Sequence, residues 1–125
     1  MNDLTIVGNV TAEPVVRFSE GSGRGVLRFD VAVNRRRFNK EQNRWIDDPA
    51  VFHHVVAFGQ LAENAAESIE KGTEVVIVGQ LADDSYEKEG EKRRLVVLEA
   101  QIIAPSLRFA TAKLTKVTRG QDTDE

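Results

Sequence analysis

Residues 51–81 read VFHHVVAFGQLAENAAESIEKGTEVVIVGQL, two apolar runs joined by a segment with a different periodicity. The first run, Val51 to Phe58, is rich in β-branched and aromatic residues, and the second, Glu74 to Val78, is mostly β-branched. Between the runs, apolar residues recur every four positions and form one stripe of a helix. These residues are Leu61, Ala65 and Ile69. The stretch predicts a strand, a helix of about three turns and a second strand, which suits a helix plugging the base of a small barrel.

Strands are predicted on both sides of this unit from the alternation of apolar and polar residues. On the N-terminal side, Leu4 to Val10 alternates, Val15 to Phe18 continues it after a proline as the second piece of one bent first strand, and Leu27 to Val33 alternates most regularly. On the C-terminal side, Arg94 to Ile103 is the last predicted strand, which a proline ends. One apolar face of this strand is expected to consist of Val96, Leu98, Ala100 and Ile102.

The resulting order, β-β-β-α-β-β, is that of an OB-fold, an all-β five-stranded Greek-key barrel with one short helix. An SH3-like barrel lacks a helix at this position. Gly8, Gly59 and Gly79 are placed where bends or bulges would supply the curvature that closure needs. We expect residues 1–112 to form the barrel domain and residues 113–125 to form a short, partly disordered tail.

Composition limits the classes of protein that the chain can represent. Its 125 residues suit one domain, no stretch approaches the roughly 18 apolar residues of a membrane span, and the N-terminus lacks a signal-peptide pattern. The absence of cysteine excludes disulfides, thiolate metal sites and cysteine nucleophiles. The net charge of −3 is not that of an overtly basic nucleic-acid binder, yet residues 24–44 carry seven basic residues against two acidic ones.

Residues 35–49 are predicted to be a long polar loop, and loops of this length are usually functional or disordered. Phe38 and Trp45 lie in it among arginine and lysine. Exposed rings among arginines suit a single-stranded nucleic acid, because bases stack on rings and arginine neutralises phosphates. Two plainer interpretations stay open: Phe52 and Phe58 could be core residues, and the triple arginine that starts the loop could be merely solvated.

The two histidines do not form a metal site. His53 and His54 are adjacent on a predicted strand, so their side chains point to opposite faces and cannot chelate one ion. No Ser/His/Asp spacing and no phosphate-binding glycine loop is present. We therefore predict neither an enzyme, nor a metal site, nor a cofactor.

Five segments together resemble the bacterial single-stranded DNA-binding proteins. They are residues 6–10 (IVGNV), 14–18 (PVVRF), 52–59 (FHHVVAFG), 61–65 (LAENA) and 76–81 (VIVGQL). The resemblance extends over residues 3–110. Residues 105–113, PSLRFATAK, are similar to the segment of actinobacterial members in which an extra C-terminal strand clamps neighbouring subunits.

The resemblance implies a homotetramer of OB-folds that wraps single-stranded DNA without strong sequence preference. It also implies roles in replication, recombination and repair, and a cytoplasmic, nucleoid-associated location. The base-stacking rings of the family match Phe38, Phe52, Phe58 and Tyr86, and His53 matches a histidine at the subunit interface. The residues predicted to contact DNA are Arg28, Arg35, Arg36, Arg37, Phe38, Lys40, Arg44, Trp45, Phe52, His54, Phe58 and Tyr86.

Two departures from the family pattern affect the prediction. An arginine-rich stretch usually precedes the hairpin aromatic, but residues 82–85 read Ala-Asp-Asp-Ser here. The family also usually ends in a long linker and an acidic tip finishing with Phe, whereas residues 121–125 read QDTDE. Recruitment of repair enzymes through such a tip is therefore not expected. The alternative function is a protein-interaction OB module of a primosome or assembly type with weak DNA binding.

Overall fold

The computed structural model describes residues 3–118 and contains eight strands and one helix within that range. The strands are β1 (Leu4–Val10), β2 (Val15–Phe18), β3 (Gly25–Asn39), β4 (Arg44–Phe58), β5 (Glu74–Asp83), β6 (Tyr86–Lys88), β7 (Glu91–Arg93) and β8 (Val96–Pro105), and the helix α1 is Gly59–Ser68. The part of the predicted tail after residue 118 lies outside the described residues, so its predicted disorder stays a prediction.

The main sheet closes into a barrel. Its strand order is β1-β5-β8-β4-β3-β2, and a second pairing of β1 with β3 joins Asn9 to Ala32 and Val10 to Val31. The β4–β8 pair is parallel, and every other pair in this sheet is antiparallel. Since β1 and β2 together form the first barrel strand, the barrel strands follow the predicted order and the OB-fold prediction is confirmed.

The helix plugs one end of the barrel, as its apolar stripe predicted. Ala62, Ala65 and the residue just after the helix, Ile69, are buried in the same core cluster as the barrel strands, and Leu61 packs against it. The helix ends at Ser68. The core cluster consists of Ile6, Val10, Leu27, Phe29, Val31, Val55, Ala57, Ala62, Ala65, Ile69, Val75, Ile77, Leu98 and Ala100.

Residues 35–49 are two strands of a hairpin and not the predicted loop. β3 and β4 pair continuously from Val26 opposite Phe58 to Asn39 opposite Arg44, apart from a register shift between Val33 and Arg35. The sequence signal for these strands was weak because no residue from 34 to 54 is buried. With both faces in solvent, neither face needs an apolar alternation.

The face assignment of the last strand is wrong at Ile102. Leu98 and Ala100 are buried as predicted, but Ile102 is 56% exposed and Ile103 packs against the core instead. The register explains the change, because Val78 lies opposite Ile102 while Gly79 lies opposite Ala100. The extra residue in β8 is a β-bulge, which shifts the alternation of side chains by one position.

Gly79 is required at this bulge by the close approach of two strands. A Cβ at this position would collide with the backbone carbonyl of Glu99. A backbone obstacle cannot rotate away as a flexible side chain can. Glycine therefore permits the β5–β8 pairing that bends the barrel.

We expect Gly79→Ala to lower the free energy of unfolding by about 1–3 kcal/mol, the usual cost of overpacking. Urea unfolding at fixed protein concentration measures the change. Gly21→Ala is the matched control, because a Cβ at Gly21 meets no atom within 4 Å. Equal stability of the two variants would contradict the close approach.

Candidate nucleic-acid interface

The predicted site residues on the β3–β4 hairpin lie on two opposite faces. Residues directly opposite on neighbouring strands share a face, and alternate residues of β3 point the same way. Phe52, His54, Val56 and Phe58 pair with Ala32, Asp30, Arg28 and Val26, and Trp45 and Asp47 pair with Phe38 and Arg36, so that all these partners are even-numbered residues of β3. These pairs therefore share one face, called the Phe52 face; Trp45 and Phe52 are seven positions apart on β4 because β4 has an extra residue at the register shift. The opposite face carries Arg35, Arg37 and Arg44.

On the Phe52 face, neither predicted phenylalanine belongs to the core. The Phe52 ring is 57% exposed, and Phe58 is half-buried, with the guanidinium of Arg24 5.0 Å from its ring centroid. The core interpretation of the two rings is therefore wrong. Arg24 was not among the predicted site residues. Arg24 lies beside the junction of β4 and α1: a Cβ built on Gly59 would lie 3.7 Å from the Arg24 Nε.

Two side-chain pairs lie side by side along the middle of the Phe52 face. His54 Nδ1 lies 2.8 Å from an Asp30 carboxylate oxygen, and Arg28 Nη1 donates to an Asp84 carboxylate oxygen at 2.7 Å. Arg28 and Asp30 are two residues apart on β3 and point the same way. The face thus presents exposed rings beside charged groups that already have partners.

Further along the same face, toward the tip of the hairpin, two rings and an ion pair form one cluster. The ring centroids of Phe38 and Trp45 are 5.6 Å apart at an interplanar angle of 73°, an edge-to-face contact. The Arg36 guanidinium lies 5.9 Å from the Trp45 ring centroid and its Nε lies 3.0 Å from an Asp47 carboxylate oxygen. The cluster fixes the orientation of Trp45 while leaving much of the ring exposed.

Carboxylates of the same chain pair with several of the predicted cations. Arg28 pairs with Asp84, Arg36 with Asp47, and Arg37 with Asp48 at 2.8 Å. Within residues 3–118, the remaining predicted cations have no carboxylate within 4.0 Å: these are Arg35, Lys40 and Arg44. The sequence count of basic residues did not reveal this pairing, because it depends on cross-strand register and on a contact over 56 positions.

Tyr86 lies in a small separate hairpin formed by β6 and β7, with its ring exposed. The hairpin follows β5 directly, and Asp83 to Ser85 connect it to the barrel. The Ser85 hydroxyl and the Ser85 backbone N–H donate to one Asp83 carboxylate oxygen at 2.6 and 2.9 Å. These hydrogen bonds, the hydroxyl first, lower the pKa of Asp83 below its usual value.

His53 lies on the inward side of β4. It pairs with Val31, which is fully buried, and shares its side of the strand with the core residues Val55 and Ala57. It is only partly buried because the hairpin here extends past the end of the barrel. The assignment of His53 to a subunit interface stays a prediction.

The described residues contain no group of three or more His, Asp or Glu side chains that could hold a metal ion. Among residues 3–118 there is also no helix with the length and apolarity to cross a membrane.

A closed five-stranded barrel with a helix between its third and fourth strands is an OB-fold, a class that binds oligonucleotides and oligosaccharides on its outer strands. Within this class the chain belongs to the single-strand binding protein family, whose family model matches residues 1–109. This confirms the resemblance that the sequence motifs indicated. Members of this non-enzymatic family are named for DNA binding, so the chain is not an enzyme.

Three curated relatives bear the name single-stranded DNA-binding protein. The relative from Paenarthrobacter aurescens is 42% identical over 95% of this chain and 70% of its own length. That from Mycolicibacterium smegmatis is 44% identical over 93% of this chain and 70% of its own length. That from Corynebacterium glutamicum is 44% identical over 94% of this chain, which spans only 52% of that relative.

A solved structure agrees with the barrel. The crystal structure of a small single-stranded DNA-binding protein from Streptomyces coelicolor superposes with a TM-score of 0.69 at 34% identity. The likeness covers 86% of this chain and 97% of that chain. The individual DNA contacts predicted from the sequence stay predictions.

The contact between Phe38 and Trp45 predicts how the single tryptophan responds to substitution. Phe38→Ala removes the ring that covers one side of Trp45 and is expected to increase quenching of Trp45 fluorescence by acrylamide. Phe52→Ala, seven positions from Trp45 along β4, is the control and is expected to leave the quenching constant unchanged. A similar increase in both variants would contradict the shielding of Trp45 by Phe38.

Proposed function

We propose that this protein binds single-stranded DNA without strong sequence preference, as a homotetramer, and protects it during replication, recombination and repair. The observation that carries the proposal is the set of exposed rings on the outer strands of the OB barrel, with Phe52 as its centre. Family membership and the names of the relatives support it. A cytoplasmic, nucleoid-associated location belongs to the same proposal.

Stacking supplies the part of the affinity that does not depend on base identity. Phe52 and Tyr86 each expose more than half of the side chain, and the Trp45 ring is similarly open. Every base has a flat π-face, so a stacked ring gains about 1–3 kcal/mol with little sequence preference. Phe38, Trp45 and Phe52 follow one another along one face of the hairpin, which supports a DNA path that runs along this face.

Phosphate neutralisation supplies the second part. Arg35, Lys40 and Arg44 lie along the exposed hairpin and are the cations on it without a carboxylate partner among residues 3–118. Each phosphate that a cation neutralises releases counterions from the strand. The affinity is therefore expected to depend on salt, though less steeply than the number of arginines alone suggests.

The strongest test removes one ring. Phe52→Ala is expected to weaken binding of a labelled oligo(dT) by about 1–3 kcal/mol, the contribution of one stacked base. Fluorescence anisotropy across a salt series measures the affinity and its salt dependence together. Phe18→Ala is the matched control, because Phe18 is equally exposed at 57% but lies on β2 outside the proposed path.

Equal losses in the Phe52 and Phe18 variants would contradict the proposed path. A salt-independent affinity, or equal binding of duplex DNA, would contradict the proposed function as a whole. It would favour the alternative, a protein-interaction OB module with weak DNA binding. The specific observation in favour of that alternative is the pairing of Arg28, Arg36 and Arg37 with aspartates.

Assembly into a tetramer has support in an uncovered apolar surface. The outer side of the β1–β5–β8 sheet brings together Val7, Val76, Val78 and Ile102, through the pairs Val7–Val76 and Val78–Ile102. Val7 and Ile102 are exposed in the single chain. Contiguous apolar surface of this kind is usually covered by a partner, and in a symmetric oligomer the partner is a second copy.

The segment after the barrel is a second candidate for subunit contacts. Residues 106–118 form no strand in the single chain and expose Leu107, Phe109 and Leu114. Arg108 anchors the segment to Glu74 by two hydrogen bonds of 3.1 and 2.6 Å, and this contact lowers the pKa of the Glu74 carboxyl. Such an anchored apolar segment suits the clamp that the family resemblance implies. The division into a domain of residues 1–112 and a tail of residues 113–125 stays a prediction.

We expect Ile102→Lys to reduce the mass of the assembly, because each interface would then bury added charges against their symmetry mates. Multi-angle light scattering at micromolar protein measures the mass of the assembly. The same measurement on His53→Lys tests the predicted place of His53 at the subunit interface. Val15→Lys is the control, since Val15 is equally exposed at 58% but lies on β2, away from this sheet face. An unchanged tetramer mass for Ile102→Lys would remove the β1–β5–β8 face from the interface.

A further inference from the structure

An ion pair between Arg28 and Asp84 connects the Phe52 face to the Tyr86 hairpin, defined as residues 84–95. Arg28 lies near the start of β3 on that face, and its Nη1 donates to Asp84 Oδ2 at 2.7 Å. Asp84 lies at the base of the hairpin, 56 positions away in sequence. The contact therefore joins the barrel strand that carries Arg28 to the hairpin that carries Tyr86.

The position of Asp84 is fixed by hydrogen bonds around it. Its backbone N–H donates to the Leu95 carbonyl at 2.8 Å, and the Leu95 N–H donates to the Ser85 hydroxyl at 3.3 Å. The neighbouring Asp83 directs its carboxylate into the loop, where it accepts from the Ser85 N–H and hydroxyl. The two adjacent carboxylates thus have different roles: Asp83 shapes the loop, and Asp84 reaches the guanidinium of Arg28.

We propose that Asp84 occupies the position of a DNA phosphate on Arg28, and thereby lowers the affinity of the Phe52 face for single-stranded DNA. The proposal rests on the proposed function. A carboxylate and a phosphate both accept hydrogen bonds from a guanidinium in the same geometry, so they compete for one site. The side chains of Arg28 and Asp84 are 56% and 38% exposed, which leaves the pair accessible to an incoming phosphate.

Displacement of Asp84 has two consequences. The Tyr86 hairpin loses its tie to β3 and becomes free to adjust its ring to a base. The salt dependence of binding also changes, because the displaced carboxylate regains counterions while the phosphate loses them. An arginine that starts from an internal carboxylate therefore contributes less to the salt slope than an unpaired one.

The test uses Asp84→Asn and the neighbouring Asp83→Asn in the full chain. Both variants remove one negative charge from the same loop, but only the first releases Arg28. Asp84→Asn is expected to tighten binding of a short labelled oligo(dT) by about 2- to 5-fold, the range of an exposed ion pair. It should also steepen the slope of log K against log salt by up to about 0.7 for each further phosphate that the protein neutralises. Asp83→Asn is expected to change neither by a comparable amount.

A third variant separates the ion pair from the general charge of the loop. In an Arg28→Gln background, Asp84→Asn is expected to have no effect on affinity or slope, because the competing site is gone. Amide hydrogen exchange without DNA provides an independent measurement, in which Asp84→Asn should speed exchange in residues 86–93. Thermal unfolding checks that each variant is folded.

Five outcomes decide the matter. Equal tightening by Asp83→Asn and Asp84→Asn, unchanged affinity and slope for Asp84→Asn, or persistent tightening in the Arg28→Gln background would each overturn the proposal while leaving the proposed function intact. Failure of the wild type and of every variant to bind oligo(dT) at low salt would overturn both. If Asp84→Asn binds oligo(dT) and the wild type does not, the result supports the proposal, because Asp84 then blocks binding completely.

Discussion

Closure of the barrel is the constraint on which the rest of the structure depends. Five strands can close only if the sheet bends sharply, and the bend occurs where backbones approach too closely for a side chain. At Gly8 and Gly79 a Cβ would collide with the carbonyls of Ala32 and Glu99. These glycines allow β1 to meet β3 and β5 to follow β8. With the ring closed, the helix can cover one end and the core is sealed.

The binding surface follows from the part of the sheet that is not needed for closure. β3 and β4 continue past the barrel as a hairpin, so that both of its faces meet solvent. A hairpin without a buried face gains little from apolar burial. It is held instead by the backbone ladder, by the Phe38–Trp45 ring pair and by Arg–Asp pairs between the strands. The residues that hold the hairpin together are therefore among the residues proposed to bind DNA.

The two roles of the hairpin residues, stabilising the hairpin and the proposed binding of DNA, explain why basic and acidic side chains are paired on its surface. A single-strand binder needs arginines, yet unpaired arginines along a narrow hairpin repel one another. Cross-strand aspartates relieve that repulsion and reduce the cation density offered to phosphates at the same time. The protein's net charge of −3 is thus compatible with a proposed binding surface in which stacking on rings has a larger share than charge neutralisation.

Residue spacing alone determined the barrel order and the helix stripe. The alternation from Leu27 to Val33 and the four-residue repeat from Leu61 are local patterns, because each element must bury one face. Spacing did not determine the hairpin beyond Val33, which buries neither face, nor the shift of Ile102 to the surface, which a bulge opposite Gly79 sets.

Only the tertiary structure decided which site residues meet. It placed Trp45 on the same face as Phe52, because β4 has an extra residue between them, and brought Arg28 to Asp84 across 56 positions. It also turned His53 toward the core side of β4. The apolar residues of a strand indicate, from local sequence, which of its faces is buried. Which polar side chains pair, and which exposed rings share a face, depends on strand register and on closure of the barrel. Those are set by distant segments that no short window of the sequence contains.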